Sequence, residues 1–222
     1  MRHSALLVVA LLVIGFVAPA SGQIRVGLVS GASLSDYRSD DNAEHSMRTG
    51  LAVGGVVDFH LNDRFGLRLE PMYIQKGGTG EDASVQETAT LESSMIELPV
   101  FATLEWGEET RPYLLAGPTV AVMLASDLKG EISGIPVQGD MMDVTERFEL
   151  GFGVGGGLSH SFDRVDVFIE GRYAWGISDM MKGGQVELYN ASLSIPVDFD
   201  DDDDWYKYQG AQILAGFTVP VG

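Results

Sequence analysis

Residues 147–178 read RFELGFGVGGGLSHSFDRVDVFIEGRYAWGIS, and their alternation decides the fold. Two runs meet at Asp163-Arg164, and in both the side chains sort with a period of two rather than 3.6. In the second run Val167, Ile169, Gly171, Tyr173, Trp175 and Ile177 share one face; Phe168, Glu170, Arg172, Ala174 and Gly176 share the other. In the first run Phe148, Leu150, Phe152, Val154 and Leu158 oppose Gly151, Gly153, Gly155 and Gly157. Successive side chains of a strand point to opposite sides of its sheet. One side of this sheet is therefore free of charge, and the other mixes charge with glycine.

Working outward, the same period recurs in eight runs, at residues 24–34, 49–61, 65–76, 91–106, 112–126, 147–162, 166–178 and 206–219. In the fourth, Ile96, Leu98, Val100, Ala102, Leu104 and Trp106 oppose Glu97, Pro99, Thr103 and Glu105. Tight turns at Asn62-Asp63-Arg64, Gly107-Glu108-Glu109 and Asp163-Arg164 alternate with long connections at residues 36–46, 78–90, 127–145 and 179–205. An even strand count with short turns at one end and long loops at the other predicts an all-β fold. The expected form is an eight-stranded antiparallel up-and-down transmembrane β-barrel of a Gram-negative outer membrane. Runs of this length suit tilted membrane strands. The layout points the tight turns and both termini to the periplasm and the long, acidic loops outward.

A soluble barrel shows the same period, so the second face has to separate the two. Glycines facing water weaken a strand for no return. Facing a narrow lumen, they make room for bulky side chains from other strands. The charge-free face then meets lipid. Aromatic residues fit two interfacial belts: Phe59, Phe65, Trp106, Phe162 and Phe217 beside the tight turns, and Tyr73, Trp175, Tyr206 and Tyr208 nearer the long loops.

The N-terminus reads as a targeting segment. Arg2 and His3 precede an apolar run at residues 5–17, and Ala18-Pro19-Ala20 and Ala20-Ser21-Gly22 offer small residues for cleavage near Ser21 or Gln23. The run is shorter than a membrane helix needs. This predicts a cleaved signal peptide at 1–22 and one barrel domain at 23–222. The chain has no cysteine, which excludes disulfides, thiolate metal sites and cysteine nucleophiles. A net charge of −18 excludes nucleic acid as a partner, because phosphates call for a basic surface.

The stretches FGLRLEPMYIQKG (65–77), MIELPVFATL (95–104), PYLLAGPTVAVMLAS (112–126), ELGFGVGGGLS (149–159) and IEGRYAWGISDM (169–180) follow one another along the chain. In that order they resemble the PorT-like outer-membrane β-barrel family of Bacteroidetes-type bacteria. Together with residues 24–34 the resemblance runs through the whole mature chain. It implies an eight-stranded outer-membrane barrel and little about activity; the family's namesake is associated with protein secretion. Such barrels usually end on an aromatic residue read by the barrel-assembly machinery. This chain ends Val219-Pro220-Val221-Gly222, with Phe217 the nearest substitute.

The inward faces carry Arg25, Asp58, Arg68, Glu70, Glu97, Glu105, Glu170 and Arg172, with His60 beside them. Unpaired charge in a narrow lumen is expensive, so these groups are expected to pair into a plug. The competing reading is a gated pore, proton path or transport or secretion component built on the same carboxylates. A lipid-modifying enzyme would need a Ser/His pair, and His160 lies between Ser159 and Ser161. Neighbours on a strand point apart, so His160 does not serve either serine as a base. Asp198, Asp200, Asp201, Asp202, Asp203 and Asp204 offer carboxylates to divalent cations, but without the spacing of an EF-hand loop. Gly153, Gly155, Gly156 and Gly157 precede no helix and so make no phosphate loop. The reading is a monomeric, non-enzymatic barrel without a cofactor, with a structural, adhesion or envelope-interaction role through its long loops and a lumen plugged by side chains. It contacts outer-membrane lipids and the assembly machinery, and its loops face an envelope or extracellular protein.

Overall fold

The computed structural model describes residues 23–38, 44–82, 87–132, 135–190, 194–199 and 207–221. The expected signal peptide, residues 1–22, lies outside the described residues. Among the described residues there are twelve strands, beginning with β1 Ile24–Arg38, β2 Glu44–His60, β3 Phe65–Leu69, β4 Met72–Asp82, β5 Glu87–Glu105 and β6 Thr110–Ile132. They continue as β7 Ile135–Asp140, β8 Phe148–Phe162, β9 Val165–Gly176, β10 Gly184–Tyr189, β11 Ser194–Phe199 and β12 Lys207–Val221. Eight staves close into a ring in the order β1, β2, β3 with β4, β5, β6, β8, β9, β12, and all pairings are antiparallel. The last strand returns to the first over its full length, from Ile24↔Val221 to Arg38↔Lys207. Closure leaves the ring no unpaired edge.

Two features differ from the sequence reading. The third run is not continuous: it breaks at Glu70-Pro71 into β3 and β4, which together form one stave. Pro71 and, across the ladder, Pro99 have no N–H to give, so the hydrogen-bond pattern lapses there without a shift in register. The long connections are also not simple loops. The β4–β5 ladder runs on to Asp82↔Glu87, and the β5–β6 ladder to Thr88↔Glu131. β7 folds back on the end of β6, and the β10–β11 hairpin joins it through Tyr189↔Gln138.

These added strands form a cap at the end of the ring opposite the tight turns, and it buries apolar side chains of its own. Val137, Met141, Val144, Met180, Val186 and Leu188 are buried in it, and Leu128, Met142, Met181 and Val197 pack at its margin. Backbone bonds from Glu146 N to Met180 O and from Lys182 N to Val144 O, both 2.8 Å, tie the segment before β8 to the segment after β9.

The turns follow their local chemistry. The Asn62 side-chain oxygen accepts from Arg64 N at 2.9 Å and Phe65 N at 3.0 Å, which folds the chain back before β3. Asp163 turns with a φ of 54°. Outward-facing Leu28, Leu51, Leu114, Leu150, Ile169 and Ile213 are exposed, so the apolar face lies on the outside of the ring. Tyr208 does not join the outer belt expected for it. Only 2% exposed, it shares the inward parity of Gly210, Gln212 and Leu214, and its hydroxyl donates to Ser93 Oγ at 2.6 Å. Tyr206 lies outside the described residues.

The inward glycines behave as their pattern predicts. A Cβ on Gly153 would stand 3.1 Å from the Phe101 ring, and one on Gly157 would stand 2.6 Å from the Tyr113 hydroxyl. Phe101 and Tyr113 are buried in the lumen over these bare positions.

Candidate functional site

The lumen is a stack of ion-paired layers between the tight-turn end and the cap. At the turn end, Arg25 of β1 places Nη2 2.9 Å from Asp166 Oδ2, and its Nε donates to Thr218 Oγ1 at 3.2 Å. Arg111 meets the same Asp166 oxygen at 2.5 Å, donates to Ser161 Oγ at 3.0 Å, and lies 3.3 Å from Glu105. His60 Nε2 is 3.8 Å from Glu105 and half-exposed at this mouth.

In the middle layer Arg68 forks onto Asp58, with Nε to Oδ1 at 2.6 Å and Nη2 to Oδ2 at 3.0 Å. A two-bond fork of this kind fixes orientation as well as charge. Its third nitrogen reaches Glu170 Oε2 at 2.9 Å. Tyr113 donates to that same Glu170 oxygen at 2.9 Å. Arg172 bonds Glu70 and lies 3.2 Å from Glu170 Oε1, while its Nε donates to Gln212 Oε1 at 2.6 Å. The Arg68 guanidinium also sits 4.8 Å from the Phe168 ring, and that of Arg172 5.2 Å from Phe101. Arg68 stands on the β3/β4 stave and Glu170 on β9, which are diametrically opposite in an eight-member ring. The layer therefore crosses the whole bore.

In the layer nearest the cap, Lys76 lies 2.7 Å from Glu97 Oε2 and donates to Glu149 Oε1 at 2.8 Å. Above it, Tyr208, Ser93 and Ser126 form a hydroxyl chain, with Ser93 Oγ 3.1 Å from Ser126 Oγ.

All eight charges assigned inward by sequence line this lumen. Arg25, Asp58, Arg68, Glu70, Glu97, Glu170 and Arg172 are buried, and Glu105 is partly so. The structure separates them into layers rather than one cluster: Arg25 and Glu105 are drawn to Asp166 and Arg111 at the mouth. Sequence reasoning missed Lys76, Arg111, Tyr113, Glu149, Asp166 and Gln212. Each has the inward parity of its strand, so the alternation that found Arg68 and Glu170 could have found them.

The remaining candidates do not assemble. His160 Nδ1 is 2.8 Å from Thr110 Oγ1 on the neighbouring strand, while Ser161 accepts from Arg111 instead. Asp198 is exposed and accepts from Gln185 at 3.0 Å; Asp200, Asp201, Asp202, Asp203 and Asp204 lie outside the described residues. Among the described residues, no group of three or more His, Asp or Glu side chains is placed to hold a metal ion. Beyond the apolar belt, the Lys129 ammonium donates to Glu92 at 2.8 Å and Arg48 lies 3.1 Å away. That hydrogen bond from Lys129, aided by Arg48, holds the Glu92 carboxyl below its ordinary value against the opposing effect of partial burial.

A closed ring with an apolar outside and an ion-paired inside defines a transmembrane β-barrel. Residues 18–182 match the model of the outer membrane protein beta-barrel domain, and the chain belongs to that family. No curated protein matches it. Among solved structures it is similar to Neisserial surface protein A, at 14% identity over 91% of this chain and 98% of that one, TM-score 0.42. It is also similar to the outer membrane protein OprG from Pseudomonas aeruginosa, at 11% identity over 90% and 95%, TM-score 0.49. The likeness is one of strand layout and extends no activity to this chain.

Proposed function

We propose that this protein is a PorT-like, non-conducting, non-enzymatic barrel that anchors a capped extracellular surface in the outer membrane. One observation carries the reading: Arg68 and Glu170, from opposite staves, meet at 2.9 Å in the centre of the bore. Two side chains in hydrogen-bond contact leave no room between them for water. The charges then serve to fill and fix the barrel, and the surface left for recognition is the cap and its hairpins. The working state in this reading is a cofactor-free monomer, with residues 1–22 removed on export. Lipids surround it, the barrel-assembly machinery inserts it, and a protein of the envelope or the exterior meets the cap. The test is conductance of purified protein in planar bilayers. The expected trace is flat; reproducible stepwise currents from the unaltered protein would replace the plug with a narrow channel.

A further inference from the structure

The layer nearest the cap is short of one positive charge. Among the described residues Lys76 is the one cation within ion-pair distance of both Glu97 and Glu149, while Arg172 is committed to Glu70 and Glu170 in the layer below. The lysine ammonium takes Glu149 through Oε1, and no protein donor among the described residues reaches Glu149 Oε2. That residue is only 7% exposed, so bulk water does not make up the deficit. An excess carboxylate held away from solvent takes up either a counter-charge or a proton.

Beside Glu149 and Lys76 lies a cavity of about 10 Å³, lined also by Ser33, Thr119, Tyr208 and Gln212. It admits a single water-sized occupant. Its wall supplies hydroxyl and carboxylate oxygens, which suit a hard cation. A divalent ion would overshoot the missing charge. Magnesium, moreover, keeps several waters of its own, and a void this small cannot house them. One monovalent ion balances the layer.

We propose that this cavity is a binding site for a single monovalent metal cation of sodium's size, held by Glu149 Oε2 and the hydroxyls around it. The site is defined by contacts inside one layer and does not depend on whether the lumen conducts. Its occupant ties β8 to β1, β6 and β12, so binding stabilises the folded ring.

The test uses the full mature chain folded in detergent, at fixed pH and ionic strength, with sodium chloride exchanged for choline chloride. A ligand at a hundredfold excess over its Kd raises the unfolding midpoint of a chain this size by roughly 5–10 °C. The expected result is such a rise in sodium over choline for the unaltered protein, and no difference between the salts for Glu149→Gln. Identical midpoints in the two salts overturn the site. So does a sodium effect that persists in Glu149→Gln, which would place the ion on the acidic surface. A midpoint that moves with pH but not with sodium identifies the missing charge as a proton and also overturns it. Should Glu149→Gln fail to fold, sodium-23 relaxation on the unaltered protein decides. Saturable broadening supports the site; broadening that never saturates rejects it.

Discussion

Arg68 touches both walls of the barrel at once. Its fork onto Asp58 orients the guanidinium, and the nitrogen left over crosses to Glu170. Replacing it with methionine keeps most of the volume, strips Asp58 of its cation and leaves Glu170 with Arg172 alone. Removing one partner of a buried pair destabilises by about 3–5 kcal/mol. Arg68→Met is therefore expected to lower the unfolding free energy of the refolded barrel, read from a urea titration, by that amount, and an unchanged free energy would mean that the layer is not held by its charges. The glycines allow a paired test at the same scale. A Cβ on Gly157 would meet Ile169 O at 2.2 Å and the Tyr113 ring at 2.7 Å, whereas a Cβ on Gly171 would meet nothing within 4 Å. Overpacking costs about 1–3 kcal/mol, so Gly157→Ala should unfold earlier in the same urea titration and Gly171→Ala should not. Equal effects would show that the inward glycines are not there to seat the aromatic rings.

At the scale of elements, the staves run on past the apolar belt, and ion pairs between neighbouring strands hold them together there. Glu92 on β5 is bonded by Lys129 on β6 and Arg48 on β2, and its carboxyl is held below the ordinary range. A depressed folded value means the contribution is present at and above the ordinary carboxylate range and is lost as pH falls through the lowered folded value. Lys129→Ala is expected to bring the Glu92 titration, followed by NMR of its side-chain carboxyl, back up towards the ordinary value. If the titration stays where it is, Lys129 is not the cause. The barrel itself was legible in the sequence because a strand's alternation is local: Glu170 and Arg172 announce their face from residues one step away. Lys76, Arg111, Glu149 and Asp166 follow the same rule, but Lys76, Arg111 and Asp166 sit at or just beyond the run ends, and Glu149 heads a face otherwise marked by glycines. The cap was not legible. Its pairing of β7 with β10 and its bridge from Thr145 to Met181 join segments far apart in the chain, and nothing in their short apolar patches names the partner. The acidic composition of those connections suggested solvated loops; Met141, Val144 and Met180, buried together, outweigh it.

At the scale of the whole molecule, the inside and outside of the ring are exchanged relative to a soluble barrel: charge fills the centre and leucine, isoleucine and phenylalanine face out. That inversion is stable only if the solvent outside is hydrocarbon. In water, Ile213 and Leu61, exposed at 63% and 58%, would both tolerate a charge with little effect. In a bilayer the two differ by depth. Ile213 pairs with Gly171 halfway along β9, in the middle of the belt, whereas Leu61 lies in the turn after β2. Arginine on the lipid face costs about 2–4 kcal/mol at the midplane and about 0–1 kcal/mol near the interfaces. In lipid vesicles Ile213→Arg should lose that much folding stability by urea titration, while Leu61→Arg should match the unaltered protein. A flat response at both positions would mean that the apolar face is not lipid-facing, and the inversion would need another partner to cover it. A graded response would fix the depth of the barrel and leave the cap, beyond the belt, as the part of the molecule presented to whatever meets it.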